Sequence, residues 1–327
     1  MIDHIIRHQI YLQRYSNGLY KQIEPQLKEM RDRINARILN ATPYQLERLS
    51  LLLKDINEII ATQEVVKPTL WQELADYENE FAINTLSATT TAAIGTGLND
   101  AALTAIITKD KVKLANSKAM AIPQLIEVFN DRYASDIKSE LELGIAMGET
   151  TDALAKRITT LSDTRTPQQA RALINTVSNY VGNKTRNDVF SKYDKLYEGK
   201  RYTSVLDSHT SAICMSLSGN IYDINDSKAP SLPKHYNCRS VYTYELKDEY
   251  KILKGGEETQ SSETGYVPAS WNYNDWLKRQ PAKVIDEILG KERGLAFRKN
   301  KLPISRFIDS TGNFYTLDEL KKKDLIK

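Results

Sequence analysis

With 327 residues, 41% of them hydrophobic and 27% charged, the chain has the composition of a folded globular protein and the length of about two or three units. Its 45 Lys plus Arg against 42 Asp plus Glu leave a net charge of +3, too small to mark the whole chain as an electrostatic nucleic-acid binder, so any DNA contact must be local. Cys214 and Cys238 are the only cysteines, which excludes a disulfide framework and fits a reducing compartment.

The opening MIDHIIRHQIYLQRY is interrupted by Asp3, His4 and Arg7 and has no small-residue cleavage site, so it does not read as a secretory signal. From residue 1 to about 165 the apolar residues recur at helical spacing. The clearest stripe is Leu46, Leu49, Leu52, Leu53, Ile56, Ile59 and Ile60, with Glu47, Arg48, Lys54, Asp55 and Glu58 opposite. Thr42, Pro43 and Gln45 signal a helix start by a capping hydroxyl, a first-turn proline and a reciprocating amide. Thr166, Pro167 and Gln169 repeat that signal, predicting a second start for a helix that runs towards Tyr197. Pro25 and Pro68 are expected to break the earlier pattern into several antiparallel helices. Phe81 to Asn99 carries no charge, but its Thr, Asn and Gly content argues for a tightly packed helical hairpin, and membrane insertion is not expected.

After residue 200 short runs of β-branched and aromatic residues, Tyr202 to Leu206, Asn220 to Ile224 and Ser240 to Tyr244, predict strands of a small α+β unit. Lys254 to Pro268, rich in Gly, Ser and Glu, reads as a mobile connection. A helical pattern returns over Trp276 to Leu289 with Gly290 as its stop, continues at Leu295 to Phe297, and closes with a capping box at Thr316 to Glu319. The fold class is therefore mainly α with a small α+β domain. Three regions are expected: a helical region over 1–114, an α+β-containing unit over 115–253, and a linker with a helical C-terminal extension over 254–327. Residues 1–165 hold 19 basic and 22 acidic side chains, whereas 166–327 hold 26 and 20, so the basic character lies in the second half. Tyr202, Tyr222, Tyr242, Tyr244, Tyr266 and Tyr273 in that half read as strand and core residues before they read as a nucleic-acid surface.

The rare chemistry-bearing residues cluster. Asp207, His209, Cys214, His235 and Cys238 fall in one window, with Cys-x20-His-x2-Cys as its skeleton. Zinc takes four N, S or O donors in a tetrahedron, so Cys214, His235 and Cys238 with Asp207 or His209 form a candidate metal set. A Cys-His-Asp nucleophilic set is a second option. In a third, Asp207 caps a helix beginning at Ser208, Gly219 ends it, and the cysteines are simply packed.

The same residues carry a resemblance. Leu206-Asp207-Ser208-His209-Thr210-Ser211 with Cys214, Gly219, Pro233, His235, Asn237, Cys238 and Arg239 resembles the signature of the phage Mu protein F-like, or minor head protein, family. Upstream, Leu143 to Thr150 with Leu154, Ala155, Arg157 and Ile158 is similar to the family's Gly and Gly-Glu segment. Downstream, Trp276, Gln280, Pro281, Leu289, Gly290 and Arg293 resemble an extension found in many members, so the resemblance covers about residues 115 to 327. His209 stands where the family usually has Arg, and Leu173 to Asn179 reads LINTVSN where many members carry an Arg-Thr pair. Both departures weaken an enzymatic reading and leave a scaffold reading untouched. The resemblance implies a non-enzymatic virion component, sited inside the head near the portal and in the host cytoplasm during assembly. It would partner portal, coat or scaffold proteins and could meet packaged double-stranded DNA during packaging or ejection. The alternative is a toxin-like or metal-dependent enzyme domain using Asp207, Cys214, His235 and Cys238, with zinc as the candidate cofactor.

Overall fold

Apolar residues at spacings of three, four and seven build the first half into packed helices. The computed structural model describes residues 1–252 and 258–326. In chain order it has α1 (Ile2–Leu39), α2 (Pro43–Glu47), α3 (Leu49–Gln63), α4 (Gln72–Thr89) and α5 (Asp100–Thr108), a two-residue hairpin of β1 (Lys111–Val112) and β2 (Met120–Ala121), then α6 (Ile122–Ala146) and α7 (Thr151–Ser191). The Thr42 box forms as read, its hydroxyl accepting from Gln45 N while the Gln45 amide oxygen accepts from Thr42 N. Pro68 opens a short 3-10 turn.

Two of the expected breaks do not occur. Pro25 lies inside α1 and Pro167 inside the 41-residue α7. Thr166 does not cap: it is buried and its hydroxyl has no partner. An interior proline costs about 3 kcal/mol, but Ile23, Leu27, Met30, Ile34, Leu161, Ala170, Leu173 and Ile174 flank the two prolines and are all buried in one core. Burial of each larger side chain contributes about 1.5–3 kcal/mol, so packing outweighs the local preference and the helices run through. The charge-free stretch divides between the end of α4, an irregular segment and the cap of α5, and no helix among the described residues is long and apolar enough to cross a membrane.

The second half contains β3 (Tyr197–Thr203), α8 (Ala212–Leu217), β4 (Ile221–Tyr222) and β5 (Val241–Leu246), the strands forming an antiparallel sheet in the order β4-β3-β5. Tyr202 pairs with Tyr242 and Lys200 with Tyr244. The first strand sits earlier than the expected Tyr202 to Leu206. Tyr197 is drawn into the core beside Phe190 and Tyr244, while Leu206 leaves the sheet for a different core. Of the expected mobile connection, residues 254–257 lie outside the described residues, and the remainder forms a hairpin of β6 (Thr259–Ser262) and β7 (Gly265–Pro268). The hairpin is anchored by Gln260, whose buried amide nitrogen lies 2.7 Å from the Trp271 carbonyl and 3.2 Å from those of Pro268 and Ala269, its two N–H groups shared among the three. The helix expected from Trp276 to Leu289 is divided at Pro281 into α9 (Tyr273–Leu277) and α10 (Ala282–Leu289), followed by α11 (Lys291–Asn300) and α12 (Leu317–Lys322) with its Thr316 capping box.

Three apolar clusters result: one among α1, α3, α4, α5, α6 and α7, one under the three-stranded sheet, and one holding the C-terminal helices. The mainly α architecture with a small α+β region is as the sequence indicates. Leu12 of α1 belongs to the first cluster and Ile5 to the second, so the N-terminal helix is shared between them.

Candidate functional site

Cys214 lies on α8, one turn after the N-cap Ser211. His235 and Cys238 lie on the loop that returns to β5. That loop is tied to α7, because Asn237 donates its backbone N–H to Thr176 Oγ1 at 3.0 Å and accepts at its side chain from Asn175 at 3.0 Å. Asn237 has φ of 57°, a left-handed conformation that Asn tolerates better than most side chains.

The fold brings three of the expected residues together. Cys214 Sγ lies 3.2 Å from His235 Nε2 and 3.8 Å from Cys238 Sγ. All three donor atoms lie within 4.8 Å of one another. His235 Nδ1 is 2.7 Å from the Tyr236 carbonyl. A carbonyl only accepts, so Nδ1 carries the proton and, in the neutral ring, Nε2 presents a lone pair to the sulfurs. Ser211 Oγ stands 2.6 Å from that Nε2, and the buried Tyr202 hydroxyl 3.2 Å from Cys214 Sγ. A hydrogen bond from the Cys238 thiol, joined by the imidazole and opposed by burial, holds Cys214 well below the ordinary thiol range. Burial pushes Cys238 well above it.

Asp207 lies outside this group. Its Oδ2 and Oδ1 accept from Arg239 Nη1 and Nη2 at 2.5 and 2.8 Å, a two-pronged pair, and Oδ1 also accepts from His209 N. The carboxylate therefore organises its own loop and orients the cluster's neighbour Arg239 rather than His235, so the expected Cys-His-Asp set lacks its third member. Helix α8 begins at Ala212, not Ser208, with Ser211 at its cap. His209 is exposed and is not one of the three clustered donors; it lines the small cavity beside Cys214 and His235 and two larger ones of about 290 and 330 Å³ that it shares with Gln9 and Gln13 of α1 and with Arg239.

The remaining motif residues brace this loop. Thr210 Oγ1 donates to Val205 O at 2.6 Å, and Leu206 packs into the C-terminal cluster with Trp276. Gly219 has φ of 88°, and a Cβ there would come within 2.6 Å of Asn272 Cβ, so both conformation and space require glycine. From the extension, Tyr273 donates its hydroxyl to Asp207 O at 2.7 Å and its backbone N–H to Ser218 Oγ at 3.1 Å. Gln280 donates to Trp276 O at 3.0 Å, and Pro281 caps α10. Pro233, on the return loop, is buried. Upstream, Gly148 with φ of 71° closes α6, and Glu149 pairs with Arg157 at 2.6 Å across the turn into α7.

Residues 135–243 match the family model of Phage Mu protein F like protein. The chain carries a Mu F-like segment. It spans about a third of the protein, runs from within α6 to within β5, and contains Asp207, the Cys214, His235 and Cys238 cluster, and Arg239. No curated protein and no solved structure matches the chain. Two residues named in the sequence without a role at the cluster join it: Ser211, one helical turn before Cys214 and thus detectable once α8 is placed, and Tyr202, which only the sheet brings to the sulfur.

Proposed function

We propose that this chain is a minor head protein, a virion component that joins portal and coat or scaffold proteins during procapsid assembly and lies beside packaged double-stranded DNA within the head. The observation that carries the reading is the Mu F-like segment at residues 135–243, which supports a phage head morphogenesis role. Its architecture suits contact with other virion proteins. Helices of 38 and 41 residues extend about 57 and 62 Å at 1.5 Å per residue. On the α1 and α4 faces Ile10, Tyr11 and Tyr77 remain 45% exposed, and tyrosine presents an apolar body with a polar tip, as protein interfaces favour. The surplus of basic residues after residue 165 supports phosphate contacts with DNA.

The toxin-like or metal-dependent enzyme reading that uses Asp207 together with Cys214, His235 and Cys238 is weakened by the commitment of Asp207 to Arg239. A phage in which this gene carries a stop codon tests the proposal. Head assembly is expected to fail or yield non-infectious particles, and co-expressed portal protein is expected to co-purify with the intact chain. Normal heads and full infectivity without the protein would overturn it. For the DNA contact, duplex binding should weaken steeply with salt.

A further inference from the structure

We propose that Cys214, His235 and Cys238 are three protein ligands of a zinc ion whose fourth position is filled by a water molecule, an inference that does not depend on the head-assembly reading. Zinc takes sulfur at about 2.3 Å and imidazole nitrogen at about 2.0–2.1 Å, so a tetrahedral site has S···S edges of about 3.8 Å and S···N edges of about 3.5 Å. The Cys214 to Cys238 separation of 3.8 Å meets the first value, and the Cys214 to His235 separation of 3.2 Å is close to the second. A metal-bound histidine characteristically donates its other ring N–H to a carbonyl or carboxylate. His235 does this through Nδ1 to Tyr236 O, leaving Nε2 aimed at the sulfurs.

The surroundings fit the ion as well. The Tyr202 hydroxyl lies 3.2 Å from Cys214 Sγ, within reach of a bound sulfur. A cavity of about 20 Å³ opens beside the donors, lined by Thr210, Ser211, Cys214, His235 and Asn237 among others. About 10–15 Å³ suffices for one water, and Ser211 Oγ stands there to hold it. Asp207, paired with Arg239, is not needed. Binding balances as one Zn2+ with two thiols giving a neutral dithiolate complex and two released protons, with no oxidant or reductant involved. The ion would tie α8 to the return loop, whose ligands lie 21 and 24 residues further along the chain than Cys214.

The test is elemental analysis of the full-length protein, produced with zinc in the medium and purified in reductant without chelator. About one zinc per chain is expected, falling at least tenfold in Cys238→Ser and His235→Ala. Because those variants can fail to fold, the unaltered protein is also stripped with chelator and titrated with Co2+. A visible spectrum of tetrahedral thiolate-bound cobalt, saturating at one equivalent and abolished by Zn2+, is expected, together with a thermal midpoint that falls on stripping and recovers on adding Zn2+. Folded protein with no bound zinc and no cobalt spectrum would overturn the proposal, as would a Cys214 to Cys238 disulfide persisting in reductant.

Discussion

Glu78 is fully buried in α4, between His8 of α1 and Arg186 of α7. Its Oε1 lies 2.8 Å from His8 Nε2, its Oε2 accepts from Arg186 Nη1 at 2.6 Å, and Arg186 Nη2 reaches Gln9 at 3.3 Å. His8 also stacks on Phe81 with ring centroids 3.6 Å apart. Removing one member of a buried pair leaves the other charge uncompensated, so Glu78→Ala is expected to cost about 3–5 kcal/mol in urea unfolding. Burial alone would raise the Glu78 pKa, but the charge of Arg186 and the bonds from His8 and Arg186 outweigh it and hold the carboxyl below its ordinary value of 4.5. The unfolded chain therefore binds the proton first as pH falls. The stabilisation is complete above 4.5 and is lost as pH drops through the lower folded value. Unfolding monitored from about pH 6 downward should show this acid limb, and Glu78→Gln should flatten it. At this scale the metal-type cluster was legible, because both cysteines and half the histidines share one short window. The role of Asp207 was not, since its partner Arg239 is 32 residues away, and neither was the Glu78 network, whose members are separated by 70 and 108 residues.

Among the elements, capping signals read correctly at Thr42 and Thr316 and failed at Thr166. The reason is the apolar pattern of α7, which continues through Pro167, so that tertiary burial decides where the chain bends. Pro167 deprives the Asp163 carbonyl of its helical donor, and restoring that donor should outweigh the proline's stiffening of the unfolded chain. Pro167→Ala is therefore expected to stabilise by about 1 kcal/mol, read as a higher urea midpoint; a lower midpoint would show that α7 needs the proline. The close passage of α1 over α7 depends on Gly182, where an added Cβ would meet Leu12 Cδ1 at 2.8 Å and approach Arg186. Gly182→Leu should separate the helices and cost at least about 1–3 kcal/mol, with a fall in helical circular dichroism on mild heating.

Over the whole molecule, the alternation of helical and strand texture disclosed the mainly α class and the small sheet. It did not disclose that the N-terminal helix is built into the Mu F-like segment. Periodicity marks a buried face without naming what covers it, and α1 places Leu12 and Leu19 in the helical cluster while Ile5 lies under the sheet. Residues 135–243 expressed alone should therefore lack a fixed tertiary structure, giving poorly dispersed amide resonances that sharpen into a native pattern only when residues 1–134 are present. The central claim, a head protein in which this helical frame carries the Mu F-like segment into the particle, is tested most directly by quantitative mass spectrometry of purified procapsids and virions combined with asymmetric cryo-electron microscopy. A few copies per particle and density for the long helices beside the portal vertex are expected; complete absence of the chain from both particles would contradict this placement.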